Sequence, residues 1–135
     1  MDMDKSAEQI TWSDDLSVGH RRLDGQHKGL IRLINRFGQD TLSQSEMTEL
    51  LDGLIAYAAK HFSDEESYIM RKAPGLLTHQ IDCHADFIEK AHDFAHRFHE
   101  GEGEVLRQEV YGFLCHWLIQ HIREEDQQYN PTRQA

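Results

Sequence analysis

The sequence predicts an all-α protein, an up-down-up-down four-helix bundle preceded by an extended N-terminal arm. Apolar residues recur three or four positions apart through four long segments, which is the period of an amphipathic helix. Short breakers containing Pro or Gly separate several of these segments, and no segment alternates as a β-strand would. Four helices of this length with short connections pack most simply as an antiparallel bundle.

Local signals place the helix ends. The hydroxyl of Ser43 or Ser45 can accept a hydrogen bond from the free amides of a second helix, and Pro74 ends that helix because proline cannot continue it. The expected helices cover about Leu23 to Phe37, Ser43 or Ser45 to the Ala73-Pro74-Gly75 breaker, about Leu77 to His99, and a last segment after Gly101-Glu102-Gly103 whose apolar stripe runs from Leu106 to Ile122. The stripe of the third helix is expected to include Ile81.

The 135 residues fit one domain with its own core. Residues 1–20 are the expected arm, with Trp12 as the one residue tied down, and about 21–129 form the bundle. We expect Cys83 and Cys115 to be reduced thiols, as is usual in a cytoplasm.

Composition restricts the partners. The formal net charge is −10, which repels phosphate backbones, so nucleic acid is not expected. No apolar run approaches the roughly 20 residues of a membrane span, and the acidic start Met1-Asp2-Met3-Asp4 does not resemble a signal peptide. We therefore expect a cytoplasmic protein without membrane contact, and a monomer, with an oligomer left open.

Histidines and carboxylates fall on the buried stripes. One such histidine is usually a hydrogen-bonded core residue, and one His/Glu pair four apart is usually a solvated pair. Convergence from all four helices instead indicates a metal site, because a shared cation removes the several kcal/mol that each polar group would cost if buried alone. The inward groups are His27, His61, Glu65, His84, His121 and, five residues after His121, Asp126.

The ligand types point to iron. Imidazole and carboxylate without cysteine on the same stripes suit first-row metals better than tetrahedral structural zinc. The inward imidazoles and carboxylates are too many for one ion, whereas two ions bridged by Glu65 and Asp126 would accommodate them. Glu125 competes with Asp126, being four rather than five residues past His121. The inward stripes lack the Glu-x-x-His motifs of carboxylate-rich di-iron oxidases, and a histidine-rich site favours reversible oxygen binding.

The motifs together resemble the bacterial hemerythrin family from about Trp12 to Tyr129. They are Val18-Gly19, Leu23-Asp24-Gly25-Gln26-His27, His61-Phe62-Ser63-Asp64-Glu65-Glu66, His84-Ala85-Asp86-Phe87, and Trp117-Leu118-Ile119-Gln120-His121-Ile122 followed by Asp126 and Tyr129. The resemblance implies a single hemerythrin-like domain with two iron ions, Fe2+ or Fe3+, joined by an oxo or hydroxo group.

The resemblance also implies roles. His27 and His61 would serve one iron with an open position, and His84, His121 and one more ligand from the third helix would serve the other. Glu65 and Asp126 would bridge both. The walls of the oxygen pocket would be Phe62, Trp117 and Leu118.

One position departs from the family, which has two histidines four apart on the third helix. Position 80 is Gln80, and the histidine is His79. On a straight helix Gln80 shares the face of His84 and His79 does not, whereas a one-turn π-bulge would realign His79. We expect His79 to be the metal ligand, since imidazole binds iron better than an amide oxygen. Gln80, a water or a weakened site is the alternative.

The function expected from these residues and the resemblance is reversible binding of dioxygen for storage, transport or sensing, without catalysis. Two alternatives remain: a di-iron enzyme acting on peroxide or nitric oxide, and an iron-loaded sensory or interaction module. The single-domain length argues against a fused sensor.

Overall fold

Four long helices make up most of the described chain, which comprises residues 9–99 and 103–133 of a computed structural model. They are α1 (Arg21–Arg36), α2 (Gln44–Lys72), α3 (Leu77–His99) and α4 (Gly103–Glu124). Both α1 and α3 pack against α2 and α4, so the helices close into a ring in chain order. This is the packing of an up-down-up-down bundle, and the predicted all-α class is confirmed. None of the described helices is long and apolar enough to cross a membrane.

Both ends of α2 lie where the capping and proline signals in the sequence predict them. The Ser43 hydroxyl accepts a hydrogen bond from the Glu46 amide (3.0 Å), and the Glu46 carboxylate accepts one from the Ser43 amide (2.8 Å). This capping box selects Ser43 over Ser45 as the first cap. At the other end Pro74 begins a 3-10 turn, Pro74–Leu76, and α3 starts directly after it. The α2–α3 connection is therefore only four residues long, which fixes α3 closely against α2.

The buried face of α3 shows that this helix is regular. Residue spacings of four and three alternate along it, as expected for one side of a straight helix. Its buried residues are Gln80, His84, Phe87, Ala91, Phe94 and Phe98. The expectation that Ile81 belongs to this stripe is wrong, because Ile81 is 43% exposed and the polar Gln80 occupies the inward position.

The arm is anchored at more points than the sequence suggested. Trp12 is half-buried with the Lys28 ammonium 4.9 Å from its ring centroid, but Leu16 and Val18 are fully buried members of the core. The backbone of Ile10 also exchanges two hydrogen bonds with the Asn35 side chain. Described residues of the arm therefore help to close the bundle, whereas its first eight residues lie outside the described part of the chain.

Candidate metal centre

All four helices and the segment after α4 contribute to one buried polar cluster. Each of its imidazoles and carboxylates is at most 5% exposed. The structure brings together six of the predicted site residues here: His27, His61, Glu65, His84, His121 and Asp126.

Glu65 lies between two groups of imidazoles. Its Oε1 atom is 3.6 Å from His61 Nε2 and 3.0 Å from His84 Nε2, while Oε2 is 3.7 Å from His27 Nε2. Two sets of possible ligands, each with its atoms within 4.8 Å of one another, share this carboxylate: His27, His61 and Glu65, and Glu65, His84 and His121. Glu65 is therefore the residue that the two sets have in common.

Asp126 spans the same two groups. Its Oδ2 atom is 3.3 Å from His27 Nε2, and its Oδ1 atom is 3.2 Å from His121 Nε2. Glu125, its competitor in the sequence, instead points to the surface, where it contacts His79. The geometry thus favours Asp126 as the second shared carboxylate.

Several ligand atoms have no partner within the protein. His27 Nε2, His84 Nε2, Glu65 Oε1 and Asp126 Oδ2 are buried without a hydrogen bond, since even the 3.0 Å contact between His84 and Glu65 lacks suitable geometry. Each unsatisfied buried group costs about 1–3 kcal/mol. Cations placed among these atoms would satisfy all of them, so the residues present fit a pair of metal ions.

A second layer of polar residues orients the imidazoles. His61 Nδ1 lies 2.6 Å from Gln26 Oε1, and His84 Nδ1 lies 2.7 Å from a Glu66 carboxylate oxygen. Both oxygens accept from Nδ1–H, which leaves Nε2 as the free lone pair facing the cluster. The Tyr129 hydroxyl donates to the shared glutamate (2.5 Å). None of these roles is predictable from the sequence, because partners on different helices leave no spacing signal.

Gln80 takes the inward position of α3 one turn before His84. The side chain is 2% exposed, donates from Nε2 to Asp126 Oδ1 (3.0 Å) and places Oε1 3.0 Å from His121 Nε2. An amide oxygen, rather than a fifth imidazole nitrogen, therefore faces the His121 side of the cluster.

His79 lies outside the buried cluster, contrary to the sequence expectation. Its side chain is 64% exposed, and Nε2 is 2.8 Å from Glu125 Oε1. The expected π-bulge is not present: Leu77–His99 is continuous α-helix, in which about 100° per residue turns position 79 away when position 80 faces inward. A regular helix keeps all its backbone hydrogen bonds, each worth about 1 kcal/mol net.

Aromatic rings cover the imidazoles. Phe62 stacks on His84 with centroids 3.9 Å apart, and Trp117 stacks on His121 at 4.5 Å. Leu118, the third residue expected at the oxygen pocket, is 3% exposed within the core. These side chains place apolar surface directly against the cluster.

Comparison with known proteins agrees with this geometry. Residues 18–132 match the family described as the hemerythrin HHE cation binding domain. The chain belongs to the hemerythrin family. Its ligand cluster, from His27 to Asp126, lies entirely within the matched residues.

Relatives match over most of their length. The bacteriohemerythrins of Stenotrophomonas maltophilia and Methylococcus capsulatus are each 32% identical, over 89% and 83% of this chain and 78% and 86% of theirs. The myohemerythrin of Theromyzon tessulatum is 27% identical, over 90% of this chain and 92% of its own. A crystal structure of a hemerythrin variant superposes with a TM-score of 0.82 at 29% identity, covering 93% of this chain and 98% of that one.

Electrostatics in this hemerythrin centre favour a trapped proton on His27 when no metal is bound. Burial lowers the pKa of His27, but the nearby carboxylates of Asp126 and Glu65 stabilise the charged imidazole more strongly and raise this pKa to about 10. Burial lowers the pKa of His61 to about 4. Burial raises the pKa of Glu65, but His27 and His84 outweigh it and hold this pKa well below the usual range. A proton on His27 therefore partly balances the charge of the Asp126 and Glu65 carboxylates.

Metal binding to the iron-free protein is expected to release protons and to weaken as the pH falls. With a pKa of about 10, His27 is protonated at neutral pH, and an ion must displace that proton. Apparent affinity for Fe2+ should rise about tenfold per pH unit for each proton displaced. Anaerobic calorimetry in buffers of different ionisation enthalpy measures the release. Heats independent of the buffer, with an affinity that does not change with pH, would contradict the trapped proton.

Proposed function

We propose that this chain binds dioxygen reversibly at a non-haem centre of two iron ions, bridged by an oxo or hydroxo group, and that it is not an enzyme. The observation that carries the proposal is the pair of buried ligand groups that share Glu65 and Asp126. Membership of the hemerythrin family supports the same function. When bound, the two iron ions supply the electrons that dioxygen accepts and returns.

The proposed ligand sets are unequal. They are His27 and His61 for one ion, His84, His121 and the Gln80 oxygen for the other, and Glu65 and Asp126 for both. Because only two imidazoles would hold the first ion, its coordination would keep an open position for an external ligand. Gln80 replaces His79 in this assignment, since the amide oxygen lies inside the cluster and the imidazole lies at the surface.

The surrounding side chains have separate tasks. Gln26 and Glu66 hold the imidazole tautomers, and Tyr129 holds the glutamate through its hydroxyl. The aromatic cover of Phe62 and Trp117 keeps water away, which protects a reduced centre from irreversible oxidation.

Oxygen cycling of the reduced protein tests the function. The iron-loaded protein is reduced anaerobically, exposed to oxygen and then flushed with argon, while the visible spectrum is recorded. We expect a charge-transfer band that appears with oxygen and disappears with argon over repeated cycles. A reduced centre that does not respond to oxygen, or one that turns over added peroxide or nitric oxide continuously, would contradict an oxygen-binding role.

Shortening Leu118 to alanine should accelerate autoxidation of the reduced centre. The substitution removes apolar cover from a position that is 3% exposed and expected to adjoin the pocket, so water gains access. We expect a rate increase on the order of tenfold, equivalent to about 1.4 kcal/mol. The decay of the oxygenated spectrum in air measures it.

Leu106→Ala is the matched control, because Leu106 is equally buried near the opposite end of α4. Both variants should lose about 2–5 kcal/mol of stability through the cavity they create. Equal autoxidation rates in the two variants would show that Leu118 does not exclude water from the pocket.

A further inference from the structure

Three potential metal ligands meet at the surface, outside the buried centre. His79 and Cys83 are four residues apart on one side of α3, and Glu125 follows the end of α4. His79 Nε2 lies 2.8 Å from Glu125 Oε1 and 3.6 Å from Cys83 Sγ. One ligand atom of each residue lies within 4.8 Å of the others.

These separations suit a single ion. Bond lengths of about 2.0–2.3 Å in a tetrahedral site place neighbouring ligand atoms about 3.3–3.7 Å apart. The two distances from His79 Nε2 lie close to that range, and all three side chains are at least partly exposed and can adjust. Imidazole, thiolate and carboxylate together select ions of intermediate softness, such as Zn2+, Co2+ or Fe2+, over Ca2+ or Mg2+.

A surface ion pair between His79 and Glu125 would be the simpler explanation, but such pairs contribute only about 0–1 kcal/mol. An ion pair alone also does not explain why the Cys83 thiol lies at hydrogen-bond distance from the His79 imidazole. We propose that His79, Cys83 and Glu125 form a surface site for a divalent transition-metal ion, the outer site, through which iron enters the buried centre.

The route follows from the position of the outer site. Its residues directly precede three inward residues in the chain: His79 precedes Gln80, Cys83 precedes His84, and Glu125 precedes Asp126. A cavity of about 130 Å³ is lined by Cys83 and Glu125 and also by the buried ligand His121. Two of the three outer-site residues and His121 of the buried centre therefore line the same cavity.

Zinc binding to the iron-filled protein tests the outer site. One further equivalent of Zn2+ should bind and protect Cys83, but not Cys115, from alkylation by iodoacetamide, as read by mass spectrometry. Cys115 is a suitable internal reference because it is also half-buried and outside any disulfide. His79→Ala and Cys83→Ser should each weaken this binding at least about tenfold, since each removes one of three ligands. Cys115→Ser should not.

Three results would overturn the outer site: no additional Zn2+ bound, equal protection of Cys83 and Cys115, or release of one iron for each Zn2+ taken up. None of these results depends on oxygen binding, so failure of the outer site and failure of the proposed function are distinguishable.

The rate of iron uptake by the metal-free protein, measured below its melting temperature, tests whether iron enters through the outer site. This part rests on the proposed di-iron centre. His79→Ala should slow the uptake of Fe2+ on the order of tenfold and leave the final iron content equal to that of the wild type. Equal rates would overturn the entrance role, whereas a wild-type chain that takes up no iron would overturn the proposed function itself.

Discussion

Replacing Glu65 by alanine is expected to abolish binding of both iron ions. Its two carboxylate oxygens face imidazoles from both ligand groups, so one substitution removes a ligand from each ion. Loss of a residue that hydrogen-bonds to a metal ligand, such as Gln26, typically lowers metal affinity about 10–100-fold. Loss of a shared ligand should lower it more than about 100-fold. Iron content after identical loading and desalting should fall from two ions per chain to nearly none.

Two further carboxylate variants serve as comparisons for Glu65→Ala. Asp126→Ala should also lower iron content, because Asp126 contacts both His27 and His121. Glu124→Ala is the matched control, since this carboxylate is exposed near the end of α4 and should leave two ions in place. Two ions retained in Glu65→Ala would refute the shared-ligand geometry.

Removing iron is expected to lower the melting temperature by about 10 °C or more. A ligand present at 100 times its dissociation constant stabilises the native state by about 2.7 kcal/mol. In a domain of this size each kcal/mol corresponds to roughly 4 °C. The four buried ligand atoms without a protein partner explain why the iron-free cluster is unfavourable. Circular dichroism melts of the loaded and the chelator-treated protein measure the difference.

Re-addition of Fe2+ under anaerobic conditions should restore the higher melting temperature. Glu65→Ala provides the control, since chelator treatment should not change the melting temperature of a variant that holds no iron. Identical melts for the loaded and the stripped wild-type protein would show that iron does not bind within the fold.

The bundle was predictable because its signals are local. A repeat of three and four residues, the Ser43 capping box and Pro74 act over one or two turns, so they can be read without knowing the partner helices. Most of the predicted metal ligands followed from the same periodicity. Imidazoles and carboxylates on a buried stripe are costly unless something binds them, so their positions indicated a shared cation.

Features that depend on contacts between helices were not predictable in the same way. Gln26, Glu66 and Tyr129 support the ligands from other elements, and Phe87 packs against the rings of Phe62 and Trp117. Their neighbours appear only in three dimensions.

The third-helix position shows how a chemical preference can mislead. His79 was expected at the iron because imidazole is the better ligand, but the register of a regular helix governs the side-chain direction. His84 and Phe87 fix the inward face of α3, and Gln80 lies on it. The periodicity of the stripe, applied without regard to ligand strength, would have placed Gln80 inside and Ile81 outside.

Anomalous scattering at the iron edge from crystals of the iron-loaded protein tests the di-iron centre most directly. We expect two peaks about 3.5–4 Å apart, the usual separation in two-metal sites. One should lie beside His27 and His61 and the other beside His84 and His121, with Glu65 and Asp126 between them. A single peak in the buried cluster, or iron only at His79 and Glu125, would contradict the shared centre.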